Sequence, residues 1–310
     1  MDIFKQYKIL NKSFEKKLVF RVGAEDGFFS EYNNMILAIH YCLVNKIKFV
    51  LSSKNANFAT TKKGWTDFFL PFCNEYKFPF LSLYNKRFNK PVFRNNRHKF
   101  IYKGYTSLKQ IDYFTHDLML KIRDQDLIIK YSVPELELNG TLIENCSKIH
   151  NMIWKYNEYT QNEIITLKLN QSFGDAFYAM HIRAGDKLTE HNLFEIKNYM
   201  KQIGGDKTIK NIFVLTDDYQ QILLLRESYP DYIFKTLCNE SETGYIHSEF
   251  QQKTKMNRRM ELIKLFASMD IMENAEKFIG TFTSNPGMNM GFRMSQKKMI
   301  GIDYEEWSIW

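Results

Sequence analysis

Three short stretches of this 310-residue chain gather side chains that bind anions or move protons. The first is His181-Ile182-Arg183-Ala184-Gly185-Asp186-Lys187, closing the apolar run AFYAMHIR. A buried strand seldom ends in His, Arg, Asp and Lys within one turn of chain. A guanidinium in that place can fork onto a phosphate, and apolar walls strengthen the contact. Ala-Gly-Asp-Lys is also good turn chemistry. Because side chains two apart share a strand face, however, His181 and Arg183 stand together, and an imidazole beside a guanidinium calls for a functional reason.

The second stretch is Thr216-Asp217-Asp218, ending NIFVLTDD. Two adjacent acids can hold a metal, accept a proton or cap the following helix, and capping accounts for one of them. Asp217-Asp218 and Asp124-Gln125-Asp126 only weakly resemble the metal-binding acids of nucleotide-sugar enzymes, and neither makes a convincing metal site. The third stretch runs from Thr281 to Gly287, TFTSNPG. Thr283 and Ser284 precede Pro286, which suits a first helical turn. Free backbone N–H groups at the positive helix end are expected to make an anion seat. Asp270, upstream of the last strand of this group, could read the edge of a base or be an ordinary helix-face acid. The chain has no Walker-type loop, and Gly23-Ala-Glu-Asp-Gly27 lacks the dinucleotide pattern, which disfavours an ATPase or a dehydrogenase. The three clusters together read as a site for a nucleotide diphosphate that needs neither metal nor cofactor.

Those residues must be placed by something, and the apolar patterning says what. LVFRVG (18–23), a helical pattern over 30–44 and IKFVL (47–51) form a strand–helix–strand opening. After residue 173 the alternation repeats: strands at 176–183, 211–218, 231–236 and 277–282, and helices at 192–203, 219–228, 257–275 and from Pro286. The fold class is therefore α/β, with two doubly wound domains facing a cleft. Residues 1–172 form the first domain and 173–310 the second, which carries the three polar clusters, although a helix of the second could begin earlier. Ligands are expected at the carboxyl ends of the strands.

Composition sets the outer limits. With 44% hydrophobic and 25% charged residues, the chain is neither disordered nor a disulfide-stapled peptide. The formal charge is +8, and the excess lies in residues 1–172, with 26 basic against 16 acidic side chains. From Tyr76 to Ile111 there are nine Lys and Arg, among them Arg87, Arg94 and Arg97, and no Asp or Glu. That run is either a solvated loop or a face for an anionic acceptor or for lipid headgroups carrying a glycan. Trp65, in GWTDFFLPF, either stacks on a sugar ring or plugs the core. The four cysteines lack metal-ligand spacing and read as buried free thiols. With no apolar leader at the N-terminus, the expected setting is the cytoplasm, soluble or peripheral on a membrane, without a nucleic-acid partner.

HIRAGDKLTEHNLFEIKNYM resembles the H-x-R-R-x-D-K motif of GDP-fucose-dependent α1,6-fucosyltransferases, the N-glycan core and nodulation-factor types. FVLTDD with SYPDYIF resembles their next motif, and SMDIMENAEKFIGTFTSN their third, in the same order over about residues 176–295. GFFSEYNNMILAIHYC loosely resembles their opening helix. The resemblance implies a GT-B fold of two Rossmann-like domains with the first on the acceptor side, GDP-β-L-fucose as donor, inversion, and no metal. It implies that Arg183, helped by Ser284 beside Thr283, holds the β-phosphate, that Asp270 reads guanine and that His181 lines the nucleotide pocket. Lys187 and Glu190 match positions that activate the acceptor hydroxyl, with Asp186 the next candidate base. Tyr199 matches a site tyrosine, and Asp217 and Asp218 match the family's acid pair. The family's second Arg is Ala184 here, which leaves open another GDP-sugar. A catalytically inactive glycan- or polyanion-binding protein is the further alternative. The animal enzymes' stem and trailing domain have no counterpart, as expected of a bacterial or viral member.

Overall fold

The computed structural model describes residues 2–76, 85, 96–169, 176–185, 194–204 and 208–309. The chain divides into two compact units, Met1–Asn157 and Glu158–Trp310. The first contains helix α1 (Ile3–Ser13), strand β1 (Lys17–Arg21), α2 (Phe28–Val44), β2 (Lys48–Ser52), α3 (Asn96–Leu108), β3 (Tyr113–Phe114), α4 (Thr115–Arg123), β4 (Lys130–Val133), β5 (Leu138–Thr141) and α5 (Leu142–Ile153). Strands β2-β1-β3 form a parallel sheet in that order, and β4 and β5 an antiparallel pair.

Helix α2 is apolar on most sides and buried over nearly its whole length, as a helix between a sheet and further helices must be. Gly27 brings no side chain to its N-terminus. Glu31 serves instead, its Oε1 accepting from the amides of Ala24, Glu25 and Asp26 at 3.3–3.4 Å. Around α2 the core is aromatic. Trp65 is 1% exposed and stacks on Phe69 at 4.2 Å and on Tyr32 at 6.1 Å between ring centroids. Its indole N–H donates to the Leu70 carbonyl at 3.0 Å. Trp65 is thus the plug and not a surface platform for sugar, because its ring lies in the core and its one polar atom is satisfied there.

The second unit contains α6 (Glu158–Leu169), β6 (Tyr178–Ile182), α7 (Ile196–Ile203), β7 (Asn211–Thr216), α8 (Tyr219–Ser228), β8 (Ile233–Lys235), α9 (His247–Gln252), α10 (Lys255–Met272), β9 (Lys277–Gly280), α11 (Asn285–Arg293) and β10 (Met299–Gly301). Its five-stranded sheet is parallel throughout, in the order β10-β9-β6-β7-β8. From β6 the chain winds outward through β7 to β8, then returns to the other side of β6 for β9 and β10. The topological switch therefore lies between β6 and β9, where open α/β sheets place ligands. The unit begins earlier than the residue 173 expected from sequence, since α6 is clamped to α10. Arg259 bonds to Glu163 at 2.6 Å and to the Thr160 hydroxyl at 3.0 Å.

Of the cysteines, Cys42 and Cys146 are buried, and all four are free thiols. Among the described residues no helix is long and apolar enough to cross a membrane.

Candidate functional site at the switch between two strands

All five residues of β6 are buried, so its polar ending sits over a dry floor. His181 lies opposite Gly280 of β9 and is 3% exposed. Burial first, and the Arg183 charge second, push its imidazole down to about 3, so the ring is neutral at ordinary pH. Its Nδ1 is 3.2 Å from the Ser284 hydroxyl. That hydroxyl donates to the Thr281 carbonyl at 2.8 Å and accepts from the Gly287 amide at 3.1 Å. A hydroxyl carries one hydrogen, so this network assigns the imidazole proton to Nδ1, which donates to Ser284, and leaves Nε2 an acceptor.

Arg183 leaves the end of β6 and pairs through Nη1 with Asp217, at the end of β7. The Asp217 carboxylate also accepts from the amides of Ala184 at 2.8 Å and Tyr245 at 3.0 Å. The Tyr245 ring lies under the guanidinium, 5.1 Å from it. This close docking needs glycine at both contact points. Gly185 and Gly244 have φ of +56° and +118°, and a Cβ on Gly185 would stand 2.4 Å from the Tyr245 carbonyl. Gly244 donates in turn to the Asp217 carbonyl at 2.7 Å. Arg183 keeps 19% of its side chain exposed, so the guanidinium is held by Asp217 without being sealed from solvent.

Asp218 turns the other way. It caps α8, accepting from the Gln220 amide at 3.1 Å and the Gln221 side chain at 3.0 Å. The acid pair thus splits into one residue that organises the site and one that ends a helix.

The loop after β9 departs from the seat of free amides expected of it. Asp303, just past β10, fills it: Oδ1 accepts from the Phe282 amide at 2.8 Å. Its Oδ2 accepts from the Thr283 amide at 2.9 Å and the Thr283 hydroxyl at 2.6 Å. Pro286 has no N–H, and the Gly287 amide belongs to Ser284. The positive end of α11 remains, with its Gly287 amide turned back onto Ser284, and Arg183 lies at the end of the neighbouring strand.

Asp270, near the end of α10, bonds through Oδ1 to Nη1 of Arg293 at 3.0 Å. The same nitrogen bonds to Glu273 at 2.8 Å, and the Arg293 side chain is completely buried. Burial raises the Glu273 carboxyl, with the Arg293 charge opposing. Tyr199 is 1% exposed and lies in the core between α7 and the sheet, among Met180, Ile182 and Ile203. Burial, then Asp303, pushes its hydroxyl upward. Among the residues expected at the site, Asp186, Lys187 and Glu190 lie outside the described residues, as do Arg87 and Arg94. Arg97 is an exposed residue of α3. Among the described residues no group of three or more His, Cys, Asp or Glu could hold a metal ion.

No family model and no curated protein matches the chain. Solved structures do. NodZ fucosyltransferase from Bradyrhizobium superposes with a TM-score of 0.56 at 15% identity, over 94% of this chain and 96% of that one. NodZ α-1,6-fucosyltransferase soaked with GDP-fucose gives 0.57 at 14% identity, over 93% and 94%. The same enzyme co-crystallised with GDP gives 0.53 at 15%, over 93% and 95%. The fold is GT-B.

Two residues that hold this site together escaped the sequence reading. Asp303 and Tyr245 are remote in the chain from the groups they bind, and neither sits in a recognisable motif. The one available sign was Gly244 directly before Tyr245, a turn residue at an otherwise unremarkable place.

Proposed function

We propose that this chain is an inverting, metal-independent glycosyltransferase that moves L-fucose from GDP-β-L-fucose to a hydroxyl of a glycan. The observation that carries the reading is the anchored Arg183 at the carboxyl end of β6, beside the switch point of the GT-B fold. The likeness to fucosyltransferases crystallised with GDP and soaked with GDP-fucose supports it.

The chemistry follows from the charge that must move. The acceptor oxygen attacks the anomeric carbon from the face opposite the nucleotide, through an oxocarbenium-like state. The breaking C–O bond leaves its electron pair on the β-phosphate, so GDP gains negative charge as it departs. A fixed cation at that oxygen lowers the barrier because it needs no reorganisation when the charge appears. Arg183 fills this role, with Asp217 and Tyr245 fixing its direction and the end of α11 adding a partial positive charge. His181 offers Nε2 as an acceptor at the nucleotide, and Asp270 meets the base. The acceptor's proton passes to a carboxylate, for which Glu190 is the first candidate and Asp186 the second, with Lys187 beside them.

One observation favours a second reading, the same fold acting on another GDP-sugar. Ala184 stands where the fucosyltransferase motif has its second Arg, and one cation fewer in the donor or acceptor pocket would suit another sugar. Thermal stabilisation by GDP-fucose, GDP-mannose, UDP-sugars and CMP-sugars separates the readings. The proposal expects the largest shift with GDP-fucose. A preference for GDP-mannose moves the donor within the fold, and a preference for UDP or CMP overturns the assignment.

A further inference from the structure

Helix α3 has two faces of unlike character. Tyr102 and Tyr105 turn inward and pack with Val19, Ile111 and Phe114. Their hydroxyls are anchored, Tyr105 to Tyr76 at 2.9 Å and Tyr102 to Asp117 at 3.1 Å. A helix fixed in this way is expected to show polar side chains on its other side. Here that side carries Phe100, Ile101 and Leu108, which are 80%, 43% and 77% exposed. At 3.6 residues per turn they fall within about 100° of arc. Exposed Arg97 falls within that strip, exposed Lys103 stands beside it and exposed Lys99 lies farther round the helix, and residues 96–111 contain no Asp or Glu.

We propose that α3 docks the protein on an anionic phospholipid membrane. The two halves of the face require different things of a partner. The basic residues require negative charge, which a soluble polyanion also offers. Phe100 and Leu108 require an apolar phase, which a polyanion lacks and the headgroup–acyl boundary of a bilayer supplies. A short helix lying in the interface plane satisfies both, with Phe100, Ile101 and Leu108 below the phosphates and the lysines at their level. This inference is independent of the donor assigned above, since α3 belongs to the first unit.

The test is co-sedimentation of the full-length protein with vesicles of phosphatidylcholine alone and of phosphatidylcholine mixed with phosphatidylserine. The expected result is salt-sensitive binding to the mixed vesicles only. Lys99→Ser and Lys103→Ser should each weaken it about fivefold. The double variant Phe100→Ser/Leu108→Ser should weaken it by more than about tenfold and leave the thermal midpoint in place. Any of four results would overturn the proposal. The first is no preference for phosphatidylserine, and the second is binding to heparin without binding to vesicles. The third is a lowered midpoint in the double variant with vesicle binding unchanged, which would mean that the chain itself covers the strip. The fourth is a dimer by light scattering that the same variant dissolves, which would make the occupant a second copy.

Discussion

Asp217 holds Arg183 by its Nη1 and closes the amides of Ala184 and Tyr245 onto the same carboxylate. One acid thus joins the ends of β6 and β7 and the segment before α9, with the guanidinium presented at the edge. A salt bridge at that depth adds little stability by itself, but removing one partner leaves buried donors without an acceptor. Its value here is direction.

Asp217→Asn keeps the shape and removes the charge. It is expected to weaken GDP binding about tenfold, the loss of one charge-assisted contact. Asp217→Ala should also lower stability by about 2–4 kcal/mol, because both amides lose their acceptor. Calorimetric titration and urea melts measure the two effects. A gain in GDP affinity would mean that Asp217 competes for Arg183 instead of presenting it.

His181 predicts a pH dependence of stability. Its folded value, about 3, lies below the 6.5 of an unperturbed imidazole. The unfolded chain therefore takes up a proton as pH falls below about 6.5, while the folded chain does not until about 3. The contribution is complete above that window and is lost as pH falls through it. Between pH 6.5 and 5 the wild type should lose about 1.5 kcal/mol more than His181→Asn, which has no such proton to take up. Equal slopes for the two proteins would refute the buried neutral ring.

Asp303→Ala releases the Phe282 and Thr283 amides and the Thr283 hydroxyl together. The expected cost is about 2–4 kcal/mol in unfolding free energy, with weaker GDP binding because Ser284 and His181 lose the loop that positions them. Asp303→Asn, which keeps part of the hydrogen bonding, should fall between. Identical melts for all three proteins would show that the loop holds its shape unaided.

Gly287→Ala inverts a common expectation. Replacing a helical glycine by alanine ordinarily stabilises by up to about 1 kcal/mol. At this position the added Cβ would lie 1.9 Å from the Thr281 carbonyl oxygen, a backbone atom that cannot swing aside. The variant is therefore expected to melt lower than wild type, and a higher melting point would mean that α11 sits farther from β9.

The parts of this molecule that could be read in advance share one property: their signal is local. AFYAM, IFVL and FIG are short apolar runs because each forms the core of a strand in a parallel sheet with layers on both faces. Ser284 was readable as a cap from its Asn-Pro-Gly sequel. Strand β10 was not, since the three residues Met299–Gly301 carry no period, and only pairing with β9 makes them a strand. The split of Asp217 from Asp218 was half visible, for a cap was expected of one of them but sequence could not say which. Asp303 and Tyr245 were invisible for the same reason as the boundary at Asn157: the partners are brought together by winding, across twenty residues or more. Two amides of the loop before the Ser284 cap, those of Phe282 and Thr283, are taken by Asp303, which the local sequence could not show.

In the proposed reaction Arg183 is the group that holds the departing nucleotide. Calorimetric titration of GDP into the wild type and Arg183→Ala, each first shown to melt cooperatively, tests it most directly. The predicted result is clear binding to the wild type and at least about tenfold weaker binding to the variant, with no fucose transferred or hydrolysed from GDP-fucose. Equal GDP affinity in the two proteins, or undiminished turnover of GDP-fucose by the variant, would contradict it.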